Sequence, residues 1–119
     1  ILRSNLLATT YKILGQVAPA ANVSGGSQLY AVSSVAGSAA VVSTLVVCNR
    51  GTSGATYRIA IREDNAALDN KQYLAYDAAI PANTTTTFTL GITLSASDSI
   101  TVVASTANLT FQAFGSEVA

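Results

Sequence analysis

Histidine and tryptophan are missing from this chain, cysteine occurs once, and charge is scarce, with six basic and six acidic residues among 119. Each shortage excludes something. Without histidine there is no Ser–His or Cys–His dyad, no imidazole general base and almost no route to a zinc site. Without a second cysteine there is no intrachain disulfide framework. Without tryptophan, an aromatic platform of the kind used by carbohydrate-binding modules would have to be built from tyrosine. Only 10% of residues are charged and half are hydrophobic, whereas about a quarter charged is ordinary for a soluble domain. A surface so thinly charged is expected to be covered in part by partner subunits, although a Ser- and Thr-rich exterior would also keep a monomer soluble. The charges balance and form no basic patch, so counterion release offers little drive toward nucleic acid. The apolar run 39–48 is interrupted by Ser43 and Thr44 and falls short of the eighteen or so residues a membrane span needs.

What is present is period-two alternation. In TTTTFTLGITL, Phe88, Leu90, Ile92 and Leu94 share one parity while Thr87, Thr89, Gly91 and Thr93 share the other. In ATYRIAIRE, Tyr57, Ile59 and Ile61 are expected inward and Thr56, Arg58, Ala60 and Arg62 outward. A helix cannot place its apolar residues this way, because its faces repeat at three and four. Weaker strand-length runs lie at 11–17, 28–33, 71–80, 99–105 and 108–114, and 39–49 is apolar on both faces, as a central strand would be. Turn-forming stretches separate them: PAANVSGGS, VAGS, NRGTSG, IPAN, SASDS and STAN. The reading is an all-β chain, a single antiparallel β-sandwich of jelly-roll type with about eight strands. It occupies residues 9–119, preceded by an extended N-terminal arm, residues 1–8. Only EDNAALDN, residues 63–70, is expected to hold a helical turn.

Cys48 lies beside Asn49, Arg50 and Gly51. It shares strand parity with Val42 and Val46, which predicts a core cysteine at a strand end rather than a nucleophile. The six carboxylates, Glu63, Asp64, Asp69, Asp77, Asp98 and Glu117, are dispersed along the chain, whereas acid–base chemistry on carboxylates alone needs a close pair. No catalytic residue and no cofactor is therefore assigned. Asp64, Asn65, Asp69 and Asn70 carry oxygen ligands, but their spacing is that of turns and not of an EF-hand. No metal site is assigned. Sequons at Asn22, Asn83 and Asn108 fall in loops where asparagine is common anyway. The five tyrosines, 11, 30, 57, 73 and 76, are expected to pack in the core and on strand faces.

Five collinear stretches carry a resemblance: YKILGQVAPAA (11–21), VVSTLVVCNRGTSGATYRIAIRE (41–63), ALDNKQYLAYDAAIPAN (67–83), LGITLSASDSITVVAST (90–106) and the terminal FGSEV. Over these, from about residue 9 onward, the chain resembles a family of small virion structural proteins of tailed bacteriophages, especially those of marine and freshwater bacteria, cyanophages included. The ILRSNLLA arm departs from that pattern. The resemblance implies a β-sandwich subunit of the particle with no enzymatic activity and no motif to transfer. It leads us to expect a capsid cement or decoration protein on the outer surface of the virion. Its partners would be its own copies, as a homotrimer, and the major capsid protein, with neither nucleic acid nor membrane involved. The alternatives are a tail, neck or fibre subunit contacting the host surface, or a filament or pilus-type subunit. The chain opens on Ile1 and not on methionine, which we read as removal or omission of preceding residues. In the arm, Ile1, Leu2, Leu6 and Leu7 are expected to contact a neighbour, and Arg58 and Arg62 are the outward charges expected to reach a partner.

Overall fold

The computed structural model describes residues 7–119. Nine strands run in chain order: β1 (Thr9–Val17), β2 (Ser27–Ala31), β3 (Ala39–Asn49), β4 (Ala55–Arg62), β5 (Tyr73–Ile80), β6 (Thr85–Phe88), β7 (Ile92–Ser95), β8 (Ser99–Ala104) and β9 (Leu109–Val118). Sheet A has the order β1-β9-β3-β6, with β7 also on β3, and sheet B has the order β2-β8-β4-β5. All named pairs are antiparallel. This is the expected all-β sandwich. Its strand order is that of a jelly roll once β6 and β7 are taken as one interrupted strand along the free edge of β3.

That interruption is a departure from the sequence reading. The run expected to be one strand over TTTTFTLGITL breaks at Gly91, whose φ of 65° is left-handed. Phe88 pairs with Leu45 and Ile92 with Val42, so an extra residue lies between them on this strand. Phe88, Ile92 and Leu94 pack toward the core, but Leu90, at the break, is exposed. The remaining differences are smaller. A 3-10 turn at Glu63–Asn65 lies in the segment 63–70 as expected, while a second, Asn70–Gln72, begins at its last residue and takes the place of the start of the strand expected from 71. Strand β9 continues to Val118, through residues whose Gly, Ser and Glu content looks turn-like.

The core lies between the sheets. Leu45, Val47, Leu109, Phe111 and Ala113 come from sheet A, and Tyr57, Ile59, Ile100, Val102 and Ala104 from sheet B, all nearly or wholly buried. Tyr57 crosses the gap and meets the edges of two rings of sheet A, Phe88 at 6.4 Å and Phe111 at 6.2 Å between centroids. Such edge-to-face pairs add about 0.5–1.5 kcal/mol each beyond burial.

Bulges cross sheet A in a line. On β3 the inward residues are Ala40 and Val42, then Leu45, Val47 and Asn49, a slip of one residue at Ser43. Strand β1 slips at Leu14, on the other side of β9. At Gly115, which pairs with Val42, a Cβ would collide with the carbonyl oxygen of Val41. Only glycine lets the two backbones approach this closely. The slip also corrects the parity of Cys48. It shares an outward face with Val46 but not with Val42, and it is half-buried rather than in the core.

Candidate functional site

The two outer faces of the sandwich differ in chemistry. On sheet A, cross-strand register places Tyr11, Ser116, Val41 and Thr93 in one outward row, Ile13, Phe114 and Thr44 in the next, and Gln16, Gln112, Val46 and Thr87 beyond. Thr110, Cys48 and Thr85 continue the face at one end and Thr9, Val118, Ala39 and Ser95 at the other. None of these residues is charged. Tyr11 is 85% exposed, and Ile13 and Val41 are exposed beside it. Tyr11, Lys12, Val41, Ser43, Phe114, Gly115 and Ser116 line a shallow hollow of about 500 Å³, in which Lys12, paired with Glu117, is the one charged residue.

Sheet B carries most of the charge. Arg58, Arg62 and Asp77 lie on its strands, and Glu63, Asp64, Asp69 and Lys71 lie in the segment between β4 and β5. The structure brings Arg58 and Arg62 onto the outer face, as expected, and engages both within the chain. Arg62 donates from Nε to the Ala66 carbonyl (2.7 Å), from Nη2 to the Asn65 carbonyl (3.3 Å) and from Nη1 to Thr101 Oγ1 (3.2 Å). It fastens the 63–66 turn to the sheet. Arg58 donates from Nε to Asp77 Oδ1 (2.7 Å) and from Nη2 to Asp77 Oδ2 (3.2 Å), while its Cζ lies 4.1 Å from the ring centroid of Tyr76. The Asp77 hydrogen bonds hold the guanidinium pKa above its ordinary value, and the guanidinium in turn holds the Asp77 carboxyl below the usual carboxylate range.

A bulge in β5 makes this cluster. Tyr57 pairs with Ala78 and Ile59 with Ala75, so Tyr76 and Asp77 together oppose the single residue Arg58. Asp77 takes a left-handed φ of 51° to do so. In a regular strand Tyr76 and Asp77 would face opposite sides. Here both stand over Arg58, and Tyr73 meets Tyr76 edge-on at 4.9 Å. Next to the cluster lies a cleft of about 280 Å³, lined by Asn22 to Gly26, Thr56, Arg58, Leu68, Tyr73, Asp77, Val103 and Ser105. Its near wall is a turn in which the Gly26 N–H donates to the Val23 carbonyl (3.0 Å), with Gly25 at φ 81° in the third position. That is the type II geometry that calls for glycine.

Sequence reasoning missed the Tyr76–Arg58–Asp77 grouping, because a bulge leaves no mark in side-chain alternation. Its expectation for the tyrosines holds for Tyr30 and Tyr57, which are buried, but not for Tyr11 and Tyr76, which are exposed. It also passed over Asn49. That side chain is 1% exposed; its Nδ2 donates toward the carbonyls of Ser53 (2.9 Å), Ile80 (3.2 Å) and Pro81 (3.2 Å), and its Oδ1 accepts from the Gly51 N–H (2.9 Å). The NRGTSG stretch is a structural lock at one end of the sandwich, where Arg50 also donates to the Ala107 carbonyl.

The other candidates disperse. Asp98 accepts from the Asp64 and Ser95 amides and the Ser95 hydroxyl, Glu117 from Tyr30 and Lys12, and Asn65 from Ser99. The Asp69 amide donates to Gln72. Among the described residues no three His, Cys, Asp or Glu gather as a metal site. Asn22, Asn83 and Asn108 are all exposed in turns. Ile1, Leu2 and Leu6 lie outside the described residues. Leu7 is half-buried and sits against its own chain, 3.1 Å from where a Cβ on Gly37 would be. Ala8 exchanges backbone hydrogen bonds with Ala119 and so extends the β1–β9 ladder. No described helix is long and apolar enough to cross a membrane. No protein-family model, curated protein or solved structure matches this chain.

Proposed function

We propose that the chain is a non-enzymatic structural subunit of a phage virion, acting as a capsid cement or decoration protein that binds its own copies and the major capsid protein. The uncharged outward face of sheet A carries this reading. Jelly rolls serve as capsid and lectin domains alike, so the fold does not choose between functions. The face does favour one class: Tyr11, Ile13, Val41 and Phe114 are set among threonines, serines and glutamines, and the one charge at its margin, Lys12, is already paired with Glu117. Burying such a surface gains about 25 cal/mol per Å² of apolar area and incurs no ion-desolvation penalty. A standard interface takes about 800 Å² from each partner, and a subunit repeated over a shell multiplies the effect by mass action. The resemblance of residues 11–21 and 41–63 to virion proteins supports the same reading.

Cryo-electron microscopy of intact virions, counting and locating copies of this chain, is the test. Many copies seated over capsid junctions through sheet A are expected. Sheet A facing solvent in every copy would overturn the reading. A second reading, a tail or fibre subunit touching the host surface, is favoured by the exposed Tyr76 beside the sheet B cleft; a few copies at the tail would establish it.

A further inference from the structure

The cleft on sheet B has features that an assembly role does not require. Its charged pair is fixed: two parallel hydrogen bonds hold Arg58 to Asp77, and the face of Tyr76 backs the guanidinium. Each carboxylate oxygen accepts one hydrogen bond from Arg58, although a carboxylate offers about four lone-pair sites, and Nη1 of Arg58 is outside the pair. Donors and acceptors thus stand side by side in a planar, preorganised array with no net charge. An anion would meet Asp77, and a cation would meet Arg58. A neutral ligand with adjacent hydroxyls fits both, one hydroxyl donating to Asp77 and its neighbour accepting from Arg58.

The walls suit the same ligand. Tyr73 contributes an aromatic side chain, which C–H-rich faces of a sugar ring pack against. The Ser24–Gly25 turn lines the same cleft and at Gly25 presents a backbone unscreened by side chain, where a Cβ would meet nothing within 4 Å. Ser24 and Asn22 add exposed polar side chains. The cleft, about 280 Å³, lies at the lower limit of small-molecule pockets, which restricts it to roughly one ring. Asp77 holds a left-handed backbone conformation that costs a non-glycine residue energy, and strain of this kind concentrates at binding sites.

We propose that this cleft binds a neutral sugar ring. Asp77 and Arg58 take two neighbouring hydroxyls, and Tyr73 and the Ser24–Gly25 turn form the walls. The site faces away from sheet A, so it stays open when that face is buried, and it does not depend on the assembly reading.

Saturation-transfer-difference NMR on the full chain tests this, with the methyl glycosides of glucose, galactose, mannose and N-acetylglucosamine as probes. At least one probe should receive saturation at its ring protons, with a dissociation constant on the order of 1–10 mM, ordinary for so small a contact. Asp77→Asn keeps a residue tolerant of the left-handed backbone and should weaken binding at least tenfold. Ser24→Trp, at an exposed turn position away from the core, should block the cleft while leaving the melting temperature unchanged. It therefore decides the matter even if Asp77→Asn unfolds. No saturation of any probe, or equal saturation in wild type and Ser24→Trp, would overturn the proposal.

Discussion

Asn49→Ala should be among the most damaging single substitutions in this chain, although the residue lies in a loop-like stretch and touches no candidate ligand site. Its amide has two protons facing three carbonyls, those of Ser53, Ile80 and Pro81, so at most two linear bonds form and one is shared. Its Oδ1 takes a third bond from the Gly51 N–H. Truncation removes three bonds at about 1 kcal/mol each and leaves buried backbone groups without partners, for a total of about 3–4 kcal/mol. A domain of this size has about 5–15 kcal/mol in all, so the variant should fold but melt roughly 12–16 °C lower. Urea unfolding followed by far-UV circular dichroism measures the loss, and the slope should not change if only the native state is affected. Asn49→Asp should be worse still, because it turns a carboxylate oxygen toward the three carbonyls. A loss under about 1 kcal/mol for Asn49→Ala would refute the argument, since it would mean that water or loop movement replaces all three bonds.

Gly115→Ala should destabilise by several kcal/mol, because its Cβ meets the Val41 carbonyl, whereas Gly54→Ala, with its nearest neighbour 3.9 Å away, should be neutral or gain about 0.5 kcal/mol; thermal melts of the pair compare them directly. Acid should weaken the fold through Glu117, whose pKa is lowered chiefly by the Tyr30 hydroxyl at 2.6 Å with help from Lys12, and through Asp98, where amide and hydroxyl donors outweigh the opposing effect of burial. A depressed carboxyl contributes stability that is present above its unfolded pKa of about 4 and is lost as pH falls through the folded value. Tyr30 works at the other end: burial first, then Glu117, raise its pKa, so its contribution is complete below the unfolded value near 10 and fades as pH rises beyond it. Urea midpoints between about pH 2 and 11 should show both limbs, and Tyr30→Phe should flatten the alkaline one at a cost of about 1.5 kcal/mol. In sheet A, Ile13→Asp should leave the melting temperature nearly unchanged but abolish self-association in sedimentation experiments, because it puts a charge into an otherwise uncharged face.

Most of the fold was legible because alternation is a direct record of a two-faced strand. The run 39–49 matches β3 residue for residue, and 55–62 carries Tyr57 and Ile59 inward as read. The misreadings share one cause. Leu90 and the Tyr76–Asp77 pair sit at an irregularity in their strands, where alternation fails locally, and Cys48 lies beyond the slip at Ser43, which reverses the facing of the rest of β3. Nothing in VVSTLVVCN marks Ser43 as the extra residue, since serine and threonine fit either face. Gly91 and Gly115 were the available signals for two of the slips, because isolated glycines inside strands point to bulges or close backbone approach.

The same slips separate the two surfaces. On sheet A the offset at Ser43 turns Val46 and Cys48 outward, where a regular strand continuing from Val42 would have turned them to the core and put Leu45 and Val47 outside. On sheet B the offset opposite Arg58 turns Asp77 to the same side as Tyr76 and neutralises the guanidinium there. An unpaired Arg58 would present a local cation there, open to any acidic group without selectivity; paired, it is an oriented dipole with an aromatic backing. One device therefore has two consequences. It decides which of the uncharged residues of β3 face out of sheet A, and it leaves sheet B with charges that recognise shape and hydroxyl pattern more than net charge. Asp77→Ala should then leave Arg58 as a locally unpaired cation on the sheet B face and strengthen salt-sensitive binding to anionic surfaces relative to the native chain. Retention on a sulfated matrix at low salt, compared with wild type, measures this. Equal retention of the two would show that the pairing does not set the character of the face.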